Sequence, residues 1–187
     1  MSRTWKGAGG YNSINYTCSF CGNPIASDIG YITEDATYNI RICHFCSNPT
    51  FFPHPSTPVP GSPMGNPVGN IGDENLNALY EEARKCATVN AYTAAVLACR
   101  KILMHIAVDK KAEQGKKFIE YIEYLADKNY IPPDAKVWVD HIRKKANEAN
   151  HEIVVMGRED AEDLITFIEM LLKVIYEFPA KIPSPGP

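Results

Sequence analysis

The sequence has no run approaching the roughly 18 consecutive apolar residues that a membrane span requires. Its polar, glycine-rich start, Met1 to Tyr16, lacks the charged-then-apolar pattern of an export signal. These absences argue against a helical membrane anchor and for a soluble, cytoplasmic protein. Positive charge is scarce as well: 19 Lys and Arg stand against 22 Asp and Glu, a net charge of -3. Coating nucleic acid through phosphate contacts needs clustered cations, so any nucleic-acid role must be local. Residues 1–72 hold only three basic and three acidic side chains, which is no obvious DNA clamp. No internal repeat stands out, which argues against a repeat architecture. With 187 residues, 45% of them apolar, the chain can bury one ordinary core plus a small satellite domain, but not two full-sized domains.

What is present in concentrated form is cysteine. Four of the six cysteines form two Cys-x-x-Cys pairs, Cys18/Cys21 and Cys43/Cys46, with no export signal ahead of them, so metal explains them better than disulfides. Zinc takes four thiolate or imidazole ligands in a tetrahedron, and each pair presents two sulfurs from one tight turn. Gly22 follows the first pair where a left-handed backbone is commonly needed, and the 21 residues between the pairs suffice for a hairpin. Tyr38, Ile40 and Ile42 alternate with Asn39 and Arg41 as a strand does when one face is covered. The spacing predicts a zinc ribbon over residues 1–52 that binds one structural Zn2+ per chain through Cys18, Cys21, Cys43 and Cys46. Four sulfurs leave no open position for catalysis. His44 reads as a surface residue rather than a substitute ligand. Trp5, Tyr11, Tyr16 and Phe20 either form the mini-core or stack on bases beside Arg3, Lys6 and Arg41.

Residues 53–72 are rich in proline and glycine, which predicts an extended, semi-flexible linker. From residue 73 the pattern is helical. Asp73 can cap a helix with Leu76, Leu79, Tyr80 and Ala83 on one face, ending near Thr88. A long second helix over 91–112 repeats Tyr92, Ala95, Val96, Cys99, Leu103 and Ile106 at helical spacing, and its length suggests a central position. Cys86 and Cys99 read as small hydrophobes. Gly115 separates it from a third stripe, Phe118, Ile119, Ile122 and Leu125. Val137, Val139, Ile142 and Ala146 form a weaker stripe through about Asn150. The last helix opens with Glu159, Asp160, Glu162 and Asp163, favourable at its positive end, and Pro179 stops it. Five amphipathic helices with short connections predict an antiparallel bundle over 73–187 and a mainly α protein.

On the fourth of these helices Arg143, Asn147 and His151 are four apart, each about 40 degrees from the last around the axis. A guanidinium, an amide and an imidazole on one face suit metal-free RNA cleavage: the imidazole moves a proton and the guanidinium steadies charge on phosphate. A solvated helix face has the same spacing. His105, near Arg100 on the second helix, could approach this stripe or serve as a core or interface histidine.

Leu79-Tyr80-Glu81-Glu82-Ala83-Arg84, Ala91 through Leu103, and Tyr176-Glu177-Phe178-Pro179-Ala180-Lys181 together resemble the family called domain of unknown function 4145, over about 73–182. That family looks like a branch of the HEPN domains, helical bundles that pair through a helix carrying Arg, a polar residue and His. Many HEPN proteins are metal-independent RNases of toxin, restriction and phage-defence systems; others bind nucleotides or partners. The resemblance implies a HEPN-like homodimer, with Ile142 to His151 matching the family's Arg-x-x-Gly-Asn-x-x-x-His stretch. Arg143 would contact phosphate, Asn147 would orient the site and His151 would act as acid and base. Ala146 stands in the glycine's place, seven residues separate Arg143 from His151, and Leu103-Met104-His105 stands where the family often has Leu-Glu-His.

The reading is therefore a homodimeric HEPN-like protein that engages RNA or another nucleic acid, as a metal-independent endoribonuclease in a prokaryotic or phage antiviral defence setting. The alternative, favoured by these departures, is a non-catalytic adaptor: the ribbon grips a protein or nucleic acid, and the helical domain dimerises.

Overall fold

The computed structural model describes residues 5–54, 57–132 and 155–182. The chain divides into two compact units, Met1–Pro63 with Ala87–Asn90, and Met64–Cys86 with Ala91–Pro187.

The first unit is a five-stranded antiparallel meander in the order β1-β2-β3-β4-β5: Gly9–Thr17, Pro24–Ile32, Asn39–Ile42, Pro49–His54 and Thr57–Val59. Each strand pairs with the next, so the β1–β2 and β3–β4 turns lie at one end of the sheet and the β2–β3 turn at the other. Ile40 lies opposite both Tyr31 and Phe51, a cross-strand row of the kind that stabilises sheets. The β2–β3 turn is built around Asp35, whose carboxylate accepts hydrogen bonds from Thr33 Oγ1 at 2.6 Å and from Thr37 N and Oγ1 at 3.1 and 2.7 Å. The Thr33 hydroxyl foremost, then the two Thr37 groups, hold that carboxyl down to about 2. In mid-sheet Gly30 faces Arg41, and a Cβ there would lie 1.9 Å from the Ile40 carbonyl oxygen, so only glycine fits. The Arg41 side chain is buried; its Nη2 donates to Asn12 O at 3.2 Å, and its guanidinium lies over the Tyr11 ring.

In the second unit α2 (Tyr92–Asp109) packs against α1 (Glu74–Cys86), α3 (Phe118–Asp127) and α4 (Arg158–Leu172). Ala95, Val96, Cys99, Ile102, Leu103, Ile106 and Ala107 are all buried, the wide apolar surface a central helix needs. Asp73 caps α1 by accepting from Asn75 N and Leu76 N at 2.9 and 3.1 Å. Pro179 does not stop the last helix. The chain continues through a wider π turn, Lys173–Glu177, in which Phe178 N donates to Lys173 O, into a short helix α5 (Phe178–Lys181) with Pro179 in its first turn.

The expectation of a mainly α bundle with a small β ribbon is corrected. Strand accounts for 20% and helix for 44% of the described residues, and the β part is a full five-stranded sheet. The difference lies mainly in β1 and β2, nine residues each, where β1 buries no residue and so carries no apolar alternation; the prolines of β4 and β5 hide the rest, and those of residues 53–72 suggest a spacer. Pro49 is the first residue of β4, Pro53 falls at its register shift, and Pro58 lies in the edge strand β5, all places where a missing donor breaks no ladder. Past the sheet, Met64–Gly69 is strapped onto the helices. Arg84, buried and paired with Glu81, donates to Met64 O and Gly65 O at 2.9 and 3.0 Å. Tyr80 Oη donates to Asn66 O at 2.7 Å, and Glu177 accepts from Gly69 N at 3.1 Å. Glu169 accepts from Asn66 N at 2.7 Å, Asn66 Nδ2 at 3.0 Å and Lys173 Nζ at 2.5 Å.

Burial pushes the Glu169 carboxyl up, but the hydrogen bonds from Lys173 and Asn66 outweigh it, and the group titrates below the ordinary glutamate value. A folded-state value below the unfolded one gives stability that is complete above the unfolded value of about 4.3 and is lost as pH falls through the folded one. Glu169→Gln should destabilise the helical unit by about 1–3 kcal/mol at neutral pH and by less in acid, as read from urea unfolding across pH.

Candidate metal centre

The two Cys-x-x-Cys turns occupy equivalent places, one between β1 and β2 and one between β3 and β4, so the meander brings both to the same end of the sheet. They are also chemically equivalent. Cys18-Ser19-Phe20-Cys21-Gly22-Asn23-Pro24 and Cys43-His44-Phe45-Cys46-Ser47-Asn48-Pro49 are one seven-residue pattern used twice. This repeat is a pair of turns and not a repeated folding unit.

Each copy closes in the same way. Gly22 N donates to Cys18 O and Ser47 N to Cys43 O, both at 2.8 Å, while Cys18 N donates to Asn23 O at 2.9 Å and Cys43 N to Asn48 O at 3.0 Å. The residue after the second cysteine is left-handed in both, Gly22 with φ +72° and Ser47 with φ +57°. The asparagine that follows is biased to extended backbone by the proline after it, which starts the next strand.

The result is a cluster of four sulfurs. Cys18 Sγ lies 3.7 Å from Cys46 Sγ, Cys21 Sγ lies 3.7 Å from Cys43 Sγ, and all four ligand atoms fall within 4.8 Å of one another. A disulfide needs about 2.0 Å, so these are free thiols. A tetrahedron with metal–sulfur bonds of about 2.3 Å has edges of about 3.8 Å, which the 3.7 Å separations match. The donor set fits a thiophilic ion, and the four cysteines predicted to act together are brought together. Cys18 and Cys43 are fully buried beside Ile25 and Tyr16, Cys46 is half-buried and Cys21 is exposed.

The thiols differ in acidity accordingly. Burial pushes Cys18 up to about 12 and raises Cys43. Burial also acts on Cys46, but the backbone and side-chain N–H of Asn48 outweigh it and bring the thiol down to about 7. An ion here must displace these protons, so occupancy falls with falling pH.

His44 is exposed, with its ring centroid 4.5 Å from that of Phe45, and is not part of the cluster. The aromatics of the sheet unit differ in burial. Tyr16 packs edge-on against buried Phe52 and Trp5 against Tyr31, whereas Phe20 and Phe45, at matching positions in the two turns, are 52% and 63% exposed. In the helical unit His105 Nε2 lies 3.0 Å from Asp73 Oδ2, and Arg100 lies over the Phe118 ring. The stripe of Arg143, Asn147 and His151 falls outside the described residues.

Residues 81–184, more than half of the chain, match the family described as Domain of unknown function (DUF4145). The chain belongs to the DUF4145 family. No curated protein and no solved structure gives a match. In this DUF4145 protein all four cysteines of the cluster precede the matched region, so the metal centre lies outside the part that the family defines. Among the described residues the four cysteines are the one such cluster of candidate ligands, and no helix is long and apolar enough to cross a membrane.

The left-handed backbone at Ser47 carries a steric cost that Gly22 avoids. Ser47→Gly should stabilise the metal-loaded sheet by about 1 kcal/mol and Gly22→Val should destabilise it by about 1–2 kcal/mol, measured as shifts in its thermal midpoint.

Proposed function

We propose that the four cysteines hold one structural zinc ion per chain, that the zinc-stapled sheet docks onto a protein partner, and that the DUF4145 unit, HEPN-like by its resemblance, pairs with a second copy in the cytoplasm. Zinc is supported by the all-sulfur donor set and by sulfur spacings that suit a closed tetrahedral site without a water position.

The docking reading rests on one observation, the unusual surface of the sheet unit. Phe20, Phe45, Tyr38 and Phe51 are all at least 40% exposed, and the last two are stacked on each other. Among the described residues of this unit Lys6 is the exposed cation, Arg41 being buried, while Asp28, Glu34 and Asp35 are all exposed. Four thiolates on a divalent ion add two further negative charges. Aromatic side chains with few cations suit the core of a protein interface better than a phosphate backbone.

A second reading is favoured by the family resemblance at Ile142 to His151: the helical unit engages RNA, and Arg143, Asn147 and His151 form a metal-independent ribonuclease site in a prokaryotic or phage conflict system. Exposed aromatic rings also stack on unpaired bases.

Metal analysis of the purified chain should give about one zinc, and Cys43→Ser should release it and unfold the sheet while the helical far-ultraviolet signal persists. Incubating the chain with labelled RNA and a chelator separates the two functional readings. Intact RNA removes the ribonuclease reading; cleavage that His151→Ala abolishes supports it and makes catalysis, not docking alone, the protein's activity.

A further inference from the structure

The two cysteine turns share one more feature. Asn23 Nδ2 lies 3.4 Å from Cys21 Sγ, and Asn48 Nδ2 lies 3.4 Å from Cys46 Sγ. Resting on the zinc reading above, we propose that Asn23 and Asn48 are positioning residues of the metal centre, each holding the outward-facing thiolate of its turn by a side-chain N–H···S hydrogen bond.

The chemistry follows from which sulfurs receive these bonds. Cys18 and Cys43 are fully buried, and burial alone keeps water and reagents from them. Cys21 and Cys46 are the two cysteines of the cluster that are not buried, and they are the two whose sulfurs accept an amide N–H. A thiolate only accepts, so the amide must present its nitrogen to the sulfur. The donated hydrogen draws electron density from the thiolate and makes it a weaker base and nucleophile while it remains a ligand. A proton, a chelator or a peroxide that opens the site must begin at an outward sulfur, and the asparagine amide protects that sulfur.

Backbone geometry gives the same residue a second hold. The carbonyl of Asn23 accepts from Cys18 N, and that of Asn48 from Cys43 N. Each asparagine therefore ties the first cysteine of its turn through the main chain and the second through the side chain. The coincidence occurs twice, at the same offset, in turns that share only part of their sequence.

The test uses the full chain loaded with zinc or with cobalt(II). Asn23→Asp/Asn48→Asp keeps the side-chain size and the backbone bonds but puts carboxylate oxygens where the donors were. Release of zinc to a colorimetric chelator should accelerate 10- to 100-fold, the range typical for loss of a partner of a metal ligand, with each single variant between wild type and double. The sulfur-to-cobalt charge-transfer band should shift in the variants, a readout that a merely structural role would leave in place. Asn48→Ala, which adds no charge, should show the same shift in smaller measure and guards against misfolding of the double variant. Release rates and cobalt bands equal to wild type in both the double variant and Asn48→Ala would overturn the proposal. A wild-type chain that takes up neither metal would overturn the zinc reading and this one with it.

Discussion

The sheet unit depends on four sulfurs being gathered at one point. An antiparallel meander places alternate turns at the same end, so the two cysteine turns are neighbours by topology before any metal is considered. The hydrogen bonds within each turn then aim both sulfurs, and the left-handed residue after the second cysteine lets the chain reverse into the next strand. A sheet with so few buried apolar residues is marginal alone, and a metal–thiolate staple is the usual remedy for a small β unit. Phe20, Tyr38, Phe45 and Phe51, which a larger domain would bury, stay in contact with solvent.

The helical unit is held differently, by hydrophobic packing around α2 and by a polar strap. Arg84, Tyr80, Glu169 and Glu177 converge on the backbone of Met64–Gly69, meeting donors and acceptors that an irregular segment would otherwise leave unpaired. Their positions on α1, α4 and the π turn explain why charged residues interrupt otherwise apolar faces.

Much of this was legible in the residues. Cys18, Cys21, Cys43 and Cys46 announce themselves by spacing, since few arrangements other than a shared ion use two Cys-x-x-Cys turns. Asp73 as a cap and the apolar periods of α1, α2 and α3 were equally readable, because local propensity and burial agree there. The extent of the sheet was not, because β1 buries none of its residues and shows no apolar alternation. Pro53 and Pro58 signal a break when read alone, and only the pairing of β4 and β5 shows that they sit where no ladder bond is lost. Pro179 misled because the helix continues past it after a wider π turn. The roles of Asn23 and Asn48 required the alignment of 18–24 with 43–49 and the amide–sulfur distances. Arg143, Asn147 and His151 lie outside the described residues and stand on their spacing and on the family resemblance.

The DUF4145 match covers residues 81–184, and the four-cysteine cluster lies ahead of it. The account's central claim is that four sulfurs close around one zinc ion. X-ray absorption at the zinc edge of the purified full-length chain addresses it directly: the account predicts a single shell of four sulfurs at about 2.3 Å. A shell containing nitrogen or oxygen ligands, or a native chain carrying Cys21 and Cys43 as a disulfide without metal, would contradict it.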